Sequence, residues 1–259
     1  MSASFTVDFE KVIALVKETR PLLLNRQKAA QIDTKGRSDF VTQVDYSVQS
    51  FLCGKLAEWY PQIQVLGEEG QKQALDWQKP VWILDPVDGT SNLIHNYRRS
   101  CVALGLWDGM ELVFGCVYNP FADEIFTAIR GKGAFLNNAT IHVSPVDSYE
   151  HSLIVFGTTP YTKSRSEEVF ERARRIFCHC EDIRRSGSAE IDLCDVACGR
   201  LEGFFEMDLK PWDFAAGAVI LEEAGGSIKN VKGCPIRPWE HGDIVATNGK
   251  IEAFLLADM

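Results

Sequence analysis

Two aspartates three residues apart are the most chemically informative feature of the sequence. They lie in the run Asp85-Pro-Val-Asp-Gly-Thr, at the end of an apolar stretch that begins at Val81. An apolar run that ends in carboxylates is typical of a buried strand with a functional end. Gly89 lets the backbone approach a ligand closely, and Thr90 opens a predicted short helix whose N-terminal N–H groups favour an anion. The run therefore predicts cation ligands beside a phosphate cradle.

Two further acidic segments also stand at the ends of predicted elements. Glu68 follows a short predicted strand, and Asp213 lies behind a tryptophan at a predicted helix start. Ionised carboxylates share a small space only when cations neutralise them. An all-oxygen ligand set without an obvious histidine or cysteine suits Mg²⁺ rather than Zn²⁺. If these segments converge with Asp85 and Asp88, they predict a magnesium site.

Hydrophobic periodicity predicts the elements that must hold these residues in place. Helices are predicted over residues 8–29 (kinked or split near Pro21), 44–59, 165–177, 188–199 and 213–224, and at the C-terminus. Strands are predicted near residues 65–67 and 81–85 and over 101–107, 111–119, 124–130, 152–156, 201–206 and 243–247. Residues 33–43 are predicted to be a polar loop. We expect an α/β protein of two subdomains with the site in the cleft between them. Residues 1–150 would carry the metal-binding motifs, and residues 151–259 would complete the site.

Composition narrows the class of protein. The chain has 259 residues, 46% of them hydrophobic and 24% charged, which excludes disorder, collagen and coiled coil as the main state. The formal net charge of -9 argues against a general nucleic-acid binder, which needs a basic face. No signal peptide and no membrane-spanning stretch is visible, so we expect a cytoplasmic protein.

The eight cysteines are expected to be mostly buried free thiols. The group Cys178-His-Cys180 lacks a second ligand pair at close spacing. Alternation on a strand would put His179 opposite the two cysteines. We therefore interpret this group as ordinary structure rather than as half of a metal site.

Five blocks of the sequence resemble the inositol monophosphatase family. They are Asp39-Phe-Val-Thr-Gln-Val-Asp, Gly67-Glu-Glu, Asp85-Pro-Val-Asp-Gly-Thr-Ser-Asn-Leu-Ile-His, Arg185-Ser-Gly-Ser-Ala-Glu-Ile-Asp and Pro211-Trp-Asp-Phe-Ala-Ala-Gly. They occur in the family's order and span most of the chain. The resemblance implies a layered αβαβα sandwich. It also implies a Mg²⁺-dependent, lithium-sensitive phosphomonoesterase with two to three Mg²⁺ per subunit, commonly a homodimer.

The resemblance assigns the metal ligands residue by residue. Glu68, Asp85 and the backbone carbonyl of Val87 match the first metal site. Asp85, Asp88 and Asp213 match the second. Glu68 also matches the loosely held third metal.

The resemblance implies the substrate contacts and the catalytic residues as well. Backbone groups from Val87 to Thr90 match the phosphate cradle. The substrate contacts fall on Asp88, Gly89, Thr90, Gly187, Ser188, Ala189, Glu206 and Asp213. The catalytic residues are Thr90, Glu68 and Asp45, with Thr90 donating to Asp45 while it accepts a hydrogen bond from the attacking water. Lys35 matches a mobile-loop position.

These observations predict hydrolysis of inositol monophosphate, or of a close sugar-alcohol phosphate, by direct attack of water. No cysteine or serine lies in a recognisable phosphatase nucleophile loop, which disfavours a phosphoenzyme. Within the same superfamily, adenosine 3′,5′-bisphosphate 3′-phosphatase, fructose-1,6-bisphosphatase and histidinol phosphatase activities remain alternatives. A binding module that has lost catalysis is disfavoured because Glu68, Asp85, Asp88, Thr90 and Asp213 are all present. The expected partner is a small phosphate monoester, without nucleic acid or membrane.

Overall fold

The elements follow one another through the whole chain. The computed structural model describes residues 6–36, 39–70 and 74–259. The helices are α1 (Phe9–Lys17), α2 (Arg20–Leu23), α3 (Arg26–Ala29), α4 (Gln43–Trp59), α5 (Thr90–Ile94), α6 (Ser166–Phe177), α7 (Ala189–Ala197), α8 (Ala215–Glu223) and α9 (Glu252–Ala257). The strands are β1 (Ile32–Gly36), β2 (Asp39–Thr42), β3 (Gln64–Gly67), β4 (Val81–Asp88), β5 (Cys101–Trp107), β6 (Leu112–Asn119), β7 (Glu124–Ile129), β8 (Ala134–Leu136), β9 (Ala139–Ile141), β10 (Leu153–Phe156), β11 (Asp182–Arg184), β12 (Gly203–Leu209), β13 (Ser227–Asn230) and β14 (Gly242–Thr247).

The stretch predicted to be helical over residues 8–29 forms three consecutive helices, α1 to α3. Asp8 caps α1 by accepting a hydrogen bond from the Lys11 N–H at 3.0 Å. Pro21 stands in the first turn of α2, where its missing N–H needs no intrahelical partner. The prediction that the segment splits near Pro21 is confirmed.

Two sheets carry the strands. The first has the order β3-β4-β5-β6-β7-β8-β9, with β3 parallel to β4 and the other neighbours antiparallel. The second has the order β11-β10-β12-β14-β13, with β10 parallel to both of its neighbours. All residues of β4 are buried, as its continuous apolar run predicts.

Three apolar cores stack these elements into layers. One core joins α1 and α4 to the first sheet, for example through Leu52 and Trp82. A second places α7 and α8 between the two sheets, and a third joins α6 and α9 to the outer face of the second sheet. Phe204 and Phe205 show the alternation along β12, because Phe204 belongs to the middle core and Phe205 to the outer one. The layered αβαβα sandwich is confirmed.

The predicted polar loop over residues 33–43 is wrong. β1 and β2 form an antiparallel ribbon there, with Ile32 opposite Thr42 and Thr34 opposite Phe40. Backbone pairing forms this ribbon without an apolar face, so the hydrophobic pattern gives no sign of it. The short strands β8, β9, β11 and β13 were not predicted for the same reason: three or four residues carry too little periodicity.

The strand geometry assumed for Cys178-His-Cys180 is also wrong. The three residues follow the C-terminus of α6 in a turn. His179 Nδ1 lies 3.1 Å from Asp258 Oδ2, a contact to the C-terminal helix region. The group therefore ties two surface elements together, in agreement with its interpretation as ordinary structure.

Two expectations from composition can be compared with the structure. All eight cysteines are free; Cys101, Cys116 and Cys194 are buried, whereas Cys178 and Cys234 are exposed. The buried-thiol expectation therefore holds for only part of the set. Among the described residues no helix has the length and apolar character needed to span a bilayer.

Candidate active site

A β-bulge near the end of β4 brings Asp85 and Asp88 to the same side of the sheet. Residues three apart on a regular strand point to opposite faces. Here Asp85 pairs with Ala103 and Asp88 with Cys101, so three steps on β4 match two steps on β5. The extra residue reverses the alternation. Both carboxylates are buried, with exposures of 2% and 8%.

Each of these aspartates is fixed through one of its oxygens. Asp85 Oδ1 accepts from the Val87 N–H at 2.9 Å. Asp88 Oδ2 accepts from Ser188 Oγ at 2.6 Å and from the Glu190 N–H at 2.7 Å. Asp88 therefore joins the end of β4 to the start of α7.

Glu68 and Asp213 approach this pair from two other elements. Glu68 follows β3, which runs parallel to β4, so the carboxyl ends of both strands meet at one edge; the Glu68 N–H donates to Leu84 O at 3.1 Å. Asp213 closes the short 3-10 turn Pro211–Asp213 just before α8, and its Oδ2 accepts from the Lys210 N–H at 2.6 Å. The predicted start of a helix at Asp213 is thus displaced by two residues.

The electrostatics of the site confirm that these carboxylates lie close together. Burial raises the pKa of Asp85 well above its ordinary value, and the charges of Glu68, Asp88 and Asp213 raise it further. Burial and the charge of Glu68 likewise raise the pKa of Asp213. Burial also raises the pKa of Asp88, although its hydrogen bonds from Ser188 and Glu190 act the other way. A bound cation would relieve this repulsion.

The donor set fits a hard cation that keeps part of its own hydration. In the part of the chain that the structure describes, no group of three or more histidine, cysteine, aspartate or glutamate side chains is placed to hold a metal ion by itself. Mg²⁺ is usually bound by one or two carboxylates, with water and substrate phosphate in its other positions. Asp85, Asp88, Glu68, Asp213 and the Val87 carbonyl offer oxygen donors of this kind. The division of these ligands between two metal sites stays a prediction.

Thr90 and Asp45 form a hydrogen-bonded pair beside the aspartates. Thr90 Oγ1 lies 3.0 Å from Asp45 Oδ1 and 3.0 Å from Val87 O. Asp45 is buried in the first turn of α4, where its Oδ2 accepts from the N–H and the hydroxyl of Thr42. The predicted hydrogen bond from Thr90 to Asp45 is therefore compatible with the geometry. Lys35 lies on β1, and its side chain is outside the described part of the structure.

Gly89 makes the turn between β4 and α5 possible. Its φ of +85° is a left-handed conformation that favours glycine. A Cβ at this position would also lie 2.8 Å from Arg99 O. Nearby, the Asn92 amide donates to Arg99 O at 2.7 Å and to Ser186 O at 3.0 Å. The loop that carries Gly187, Ser188 and Ala189 is thereby held against the turn.

Glu206 lies in the cleft that Asp88 and Asp213 also line. Burial raises the pKa of its carboxyl to about 7, which the charge of Asp88 favours and the Thr159 N–H opposes. Its carboxyl rests directly on Gly157, where a Cβ would lie 1.8 Å from Glu206 Cδ. Close packing against a glycine fixes the carboxyl at the wall of the cleft.

The structure adds residues that the sequence did not single out. Pro160, Tyr161 and Arg185 line the same cleft. Thr159 holds their loop through a hydrogen bond from its hydroxyl to Met207 O at 2.8 Å. Glu190 follows the predicted substrate loop and is fully buried. A Pro-Tyr pair and a glutamate on a helix are ordinary surface patterns, so only the Asp-Glu-rich neighbourhood of Glu190 in the motif gave any signal.

Comparison with known proteins gives the same fold and class. The family model described as the inositol monophosphatase family matches residues 3–259. The chain is 41% identical to inositol-1-monophosphatase of Synechocystis sp. over 230 residues, covering 86% of this chain and 78% of that protein. It is 35% identical to Nus factor SuhB of Vibrio cholerae over 225 residues, covering 87% and 84%. The crystal structure of the suhB protein from Bartonella henselae matches with a TM-score of 0.88 at 32% identity, covering 96% of both chains.

The fold, the acidic site and these relatives define a phosphatase, that is, a phosphoric monoester hydrolase of a metal-dependent class. The chain belongs to the inositol monophosphatase family. The family resemblance, the fold and the enzyme class predicted from the motif blocks are confirmed.

Proposed function

We propose that the protein is a Mg²⁺-dependent phosphomonoesterase that hydrolyses inositol monophosphate or a close sugar-alcohol phosphate. The observation that carries this proposal is the bulge in β4, which turns Asp85 and Asp88 to one side, where Glu68 and Asp213 also approach. Uncatalysed hydrolysis of phosphate monoesters is extremely slow, so most of the barrier must be removed by stabilising charge. Carboxylates that gather cations around a phosphate serve that purpose.

The residues of the chain divide this work. Asp85, Asp88, Glu68, Asp213 and the Val87 carbonyl would hold Mg²⁺. When bound, Mg²⁺ would supply positive charge to the phosphoryl oxygens and make hydroxide available near neutral pH. Thr90 donates to Asp45 and accepts a hydrogen bond from the attacking water, which orients the water toward phosphorus. The turn from Val87 to Thr90 holds the phosphate through its backbone.

Glu206 supports the choice of a polyhydroxylated substrate. Its carboxyl stands at the cleft wall beside Asp88 and Asp213, fixed by the Thr159 N–H at 3.4 Å and by Gly157. A carboxylate there accepts hydrogen bonds from the neighbouring hydroxyls of a cyclitol or sugar alcohol. Gly187, Ser188 and Ala189 would contact the same alcohol from the opposite loop.

A panel of phosphate-release assays tests the substrate assignment. The substrates are inositol 1-phosphate, adenosine 3′,5′-bisphosphate, fructose 1,6-bisphosphate and histidinol phosphate, each with Mg²⁺. We expect the highest kcat/KM for inositol 1-phosphate. A higher value for any of the other three would overturn the substrate assignment and leave the phosphatase class intact.

Assembly and environment follow from the same proposal. We expect a homodimer, inhibition by lithium and a cytoplasmic location, with a small phosphate monoester as the partner. The net charge of -9 supports a small-molecule partner rather than nucleic acid. Because relatives such as that of Vibrio cholerae are named Nus factor SuhB, a nucleic-acid binding assay is the matching control. We expect no binding at 0.15 M salt.

A further inference from the structure

Glu190 is a fully buried carboxyl group that the proposed reaction does not use. It lies in the first turn of α7, next to the predicted substrate loop, and its exposure is 0%. Burying a carboxyl group is costly unless it has strong hydrogen-bond partners. Its partners therefore indicate what the group does in this protein.

The side chain of Glu190 reaches the beginning of α8. Its Oε2 accepts from the Gly217 N–H at 2.6 Å, and its Oε1 accepts from the Ala216 N–H at 3.2 Å. These two N–H groups belong to the first turn of α8, where backbone donors lack intrahelical partners. Gly217 leaves room for this contact, because a Cβ there would lie 2.6 Å from Glu190 Oε2.

The main chain of Glu190 reaches the other side of the site. Its N–H donates to Asp88 Oδ2 at 2.7 Å, at the end of β4. Asp213 lies two residues before α8. One buried residue therefore contacts Asp88 directly and the helix start behind Asp213.

The charge at that helix start explains why a carboxyl group is useful there. The N-terminus of a helix carries a partial positive charge, which attracts anions and repels cations. Left bare, the start of α8 would oppose a cation bound at Asp213. A carboxyl group on its first N–H donors removes that opposition and holds the donors away from the cation site.

We propose that Glu190 is a positioning residue for the metal site: by capping α8 and orienting Asp88, it raises the affinity for Mg²⁺. This inference rests on the proposed function, since it presupposes that Mg²⁺ binds at these aspartates. It assigns Glu190 no contact with substrate or with the reacting atoms.

The test compares two isosteric changes on the same helix. Glu190→Gln keeps the size of the side chain but sets an amide NH2 group against one backbone donor. Asp192→Asn also neutralises a buried carboxyl on α7, but Asp192 faces Arg99, with 3.6 Å between Oδ1 and the guanidinium. Dissociation constants for Mg²⁺ alone are measured by calorimetry on the chelated proteins, and melting temperatures report the fold.

We expect Glu190→Gln to raise the Mg²⁺ Kd by about tenfold or more, the usual effect of losing a partner behind a metal ligand. Asp192→Asn should lower the melting temperature yet keep the Kd within about twofold of wild type. A folded Glu190→Gln protein with the wild-type Kd, or equal changes in both variants, overturns the inference. If Glu190→Gln does not fold, Gly217→Ala decides, because its methyl group displaces the same carboxyl: a raised Kd supports the inference and an unchanged Kd overturns it. Absence of Mg²⁺ binding by the wild type would instead contradict the proposed function.

Discussion

Asp88 is the residue on which the two halves of the site depend most directly. It ends β4, and one of its oxygens accepts hydrogen bonds from Ser188 and from the Glu190 N–H. These bonds leave the negative charge in place while they fix its direction. A ligand that is both charged and oriented matters most where a cation and a phosphate must be brought together.

Changing Asp88 to asparagine should abolish turnover without unfolding the protein. Asparagine keeps the shape and one acceptor oxygen for Ser188, but it removes the charge that a cation requires. We expect kcat to fall by about 100-fold or more, the scale of a lost electrostatic contact in the transition state. Circular dichroism checks the fold. A folded variant that keeps most of its activity would show that Asp88 is not a ligand.

Replacing Glu206 with alanine should separate substrate selection from hydrolysis. The loss of a charged hydrogen bond to a hydroxyl costs about 1.5–3 kcal/mol, so kcat/KM for inositol 1-phosphate should fall by that amount. An aryl phosphate has no hydroxyls on its leaving group and should be affected much less. Equal losses on both substrates would assign Glu206 to the metal site, and no loss on either would make it a bystander.

The same residue should make the stability of the metal-free protein depend on pH. Because the folded-state pKa of Glu206 is raised from 4.5 to about 7, the folded protein binds a proton between these values that the unfolded chain releases. Stability from this group is therefore lost as pH rises through 7. Glu206→Gln should match wild type near pH 4 and exceed it above pH 7, by up to about 3 kcal/mol. Urea unfolding in chelator at both pH values measures the difference; a constant difference would rule out this titration.

At the scale of elements, the site depends on how β4 ends and turns into α5. The bulge between Asp85 and Asp88 aligns two carboxylates, and Gly89 then turns the chain with a φ of +85°. The turn packs against Arg99 O and against the substrate loop at Gly187. Backbone geometry at a single residue therefore sets the distance between the metal ligands and the predicted phosphate cradle.

Gly89→Ala tests this turn against a matched control. Gly131 has a similar φ of +78°, but a Cβ there meets nothing within 4 Å. Gly131→Ala should therefore cost only the left-handed strain of about 1–2 kcal/mol. Gly89→Ala should cost more, because its Cβ meets Arg99 O, and should lower kcat by about 100-fold through misplacement of the site. Similar unfolding free energies and full activity in both variants would contradict the close packing of this turn.

The sequence could predict the long elements and the acidic segments. The α4 and α6 helices and the buried β4 strand have enough apolar residues for their period to be seen. The β1–β2 ribbon has none, and it was predicted as a loop. The direction of Asp85 and Asp88 was also beyond the pattern, because one residue of bulge decides the face. Glu190 was missed because a glutamate in a helix is usually exposed, and only the tertiary contact with α8 explains its burial.

At the scale of the whole molecule, the chain concentrates negative charge where two packed sheets meet the middle helices. The protein has a formal net charge of -9, and its site adds buried carboxylates whose mutual repulsion raises the pKa of Asp85 and Asp213. Folding without cations must bear this repulsion. Cation binding to the folded state should therefore stabilise the entire molecule as well as activate it.

Magnesium titration of the chelated protein tests the central claim most directly. Phosphate release from inositol 1-phosphate and the melting temperature are followed in the same samples, first in excess chelator and then with Mg²⁺ in excess over the chelator. We predict no phosphate release in chelator, recovery of activity with Mg²⁺, and a parallel rise in melting temperature because the ion binds the folded state. Full activity in excess chelator would contradict the account.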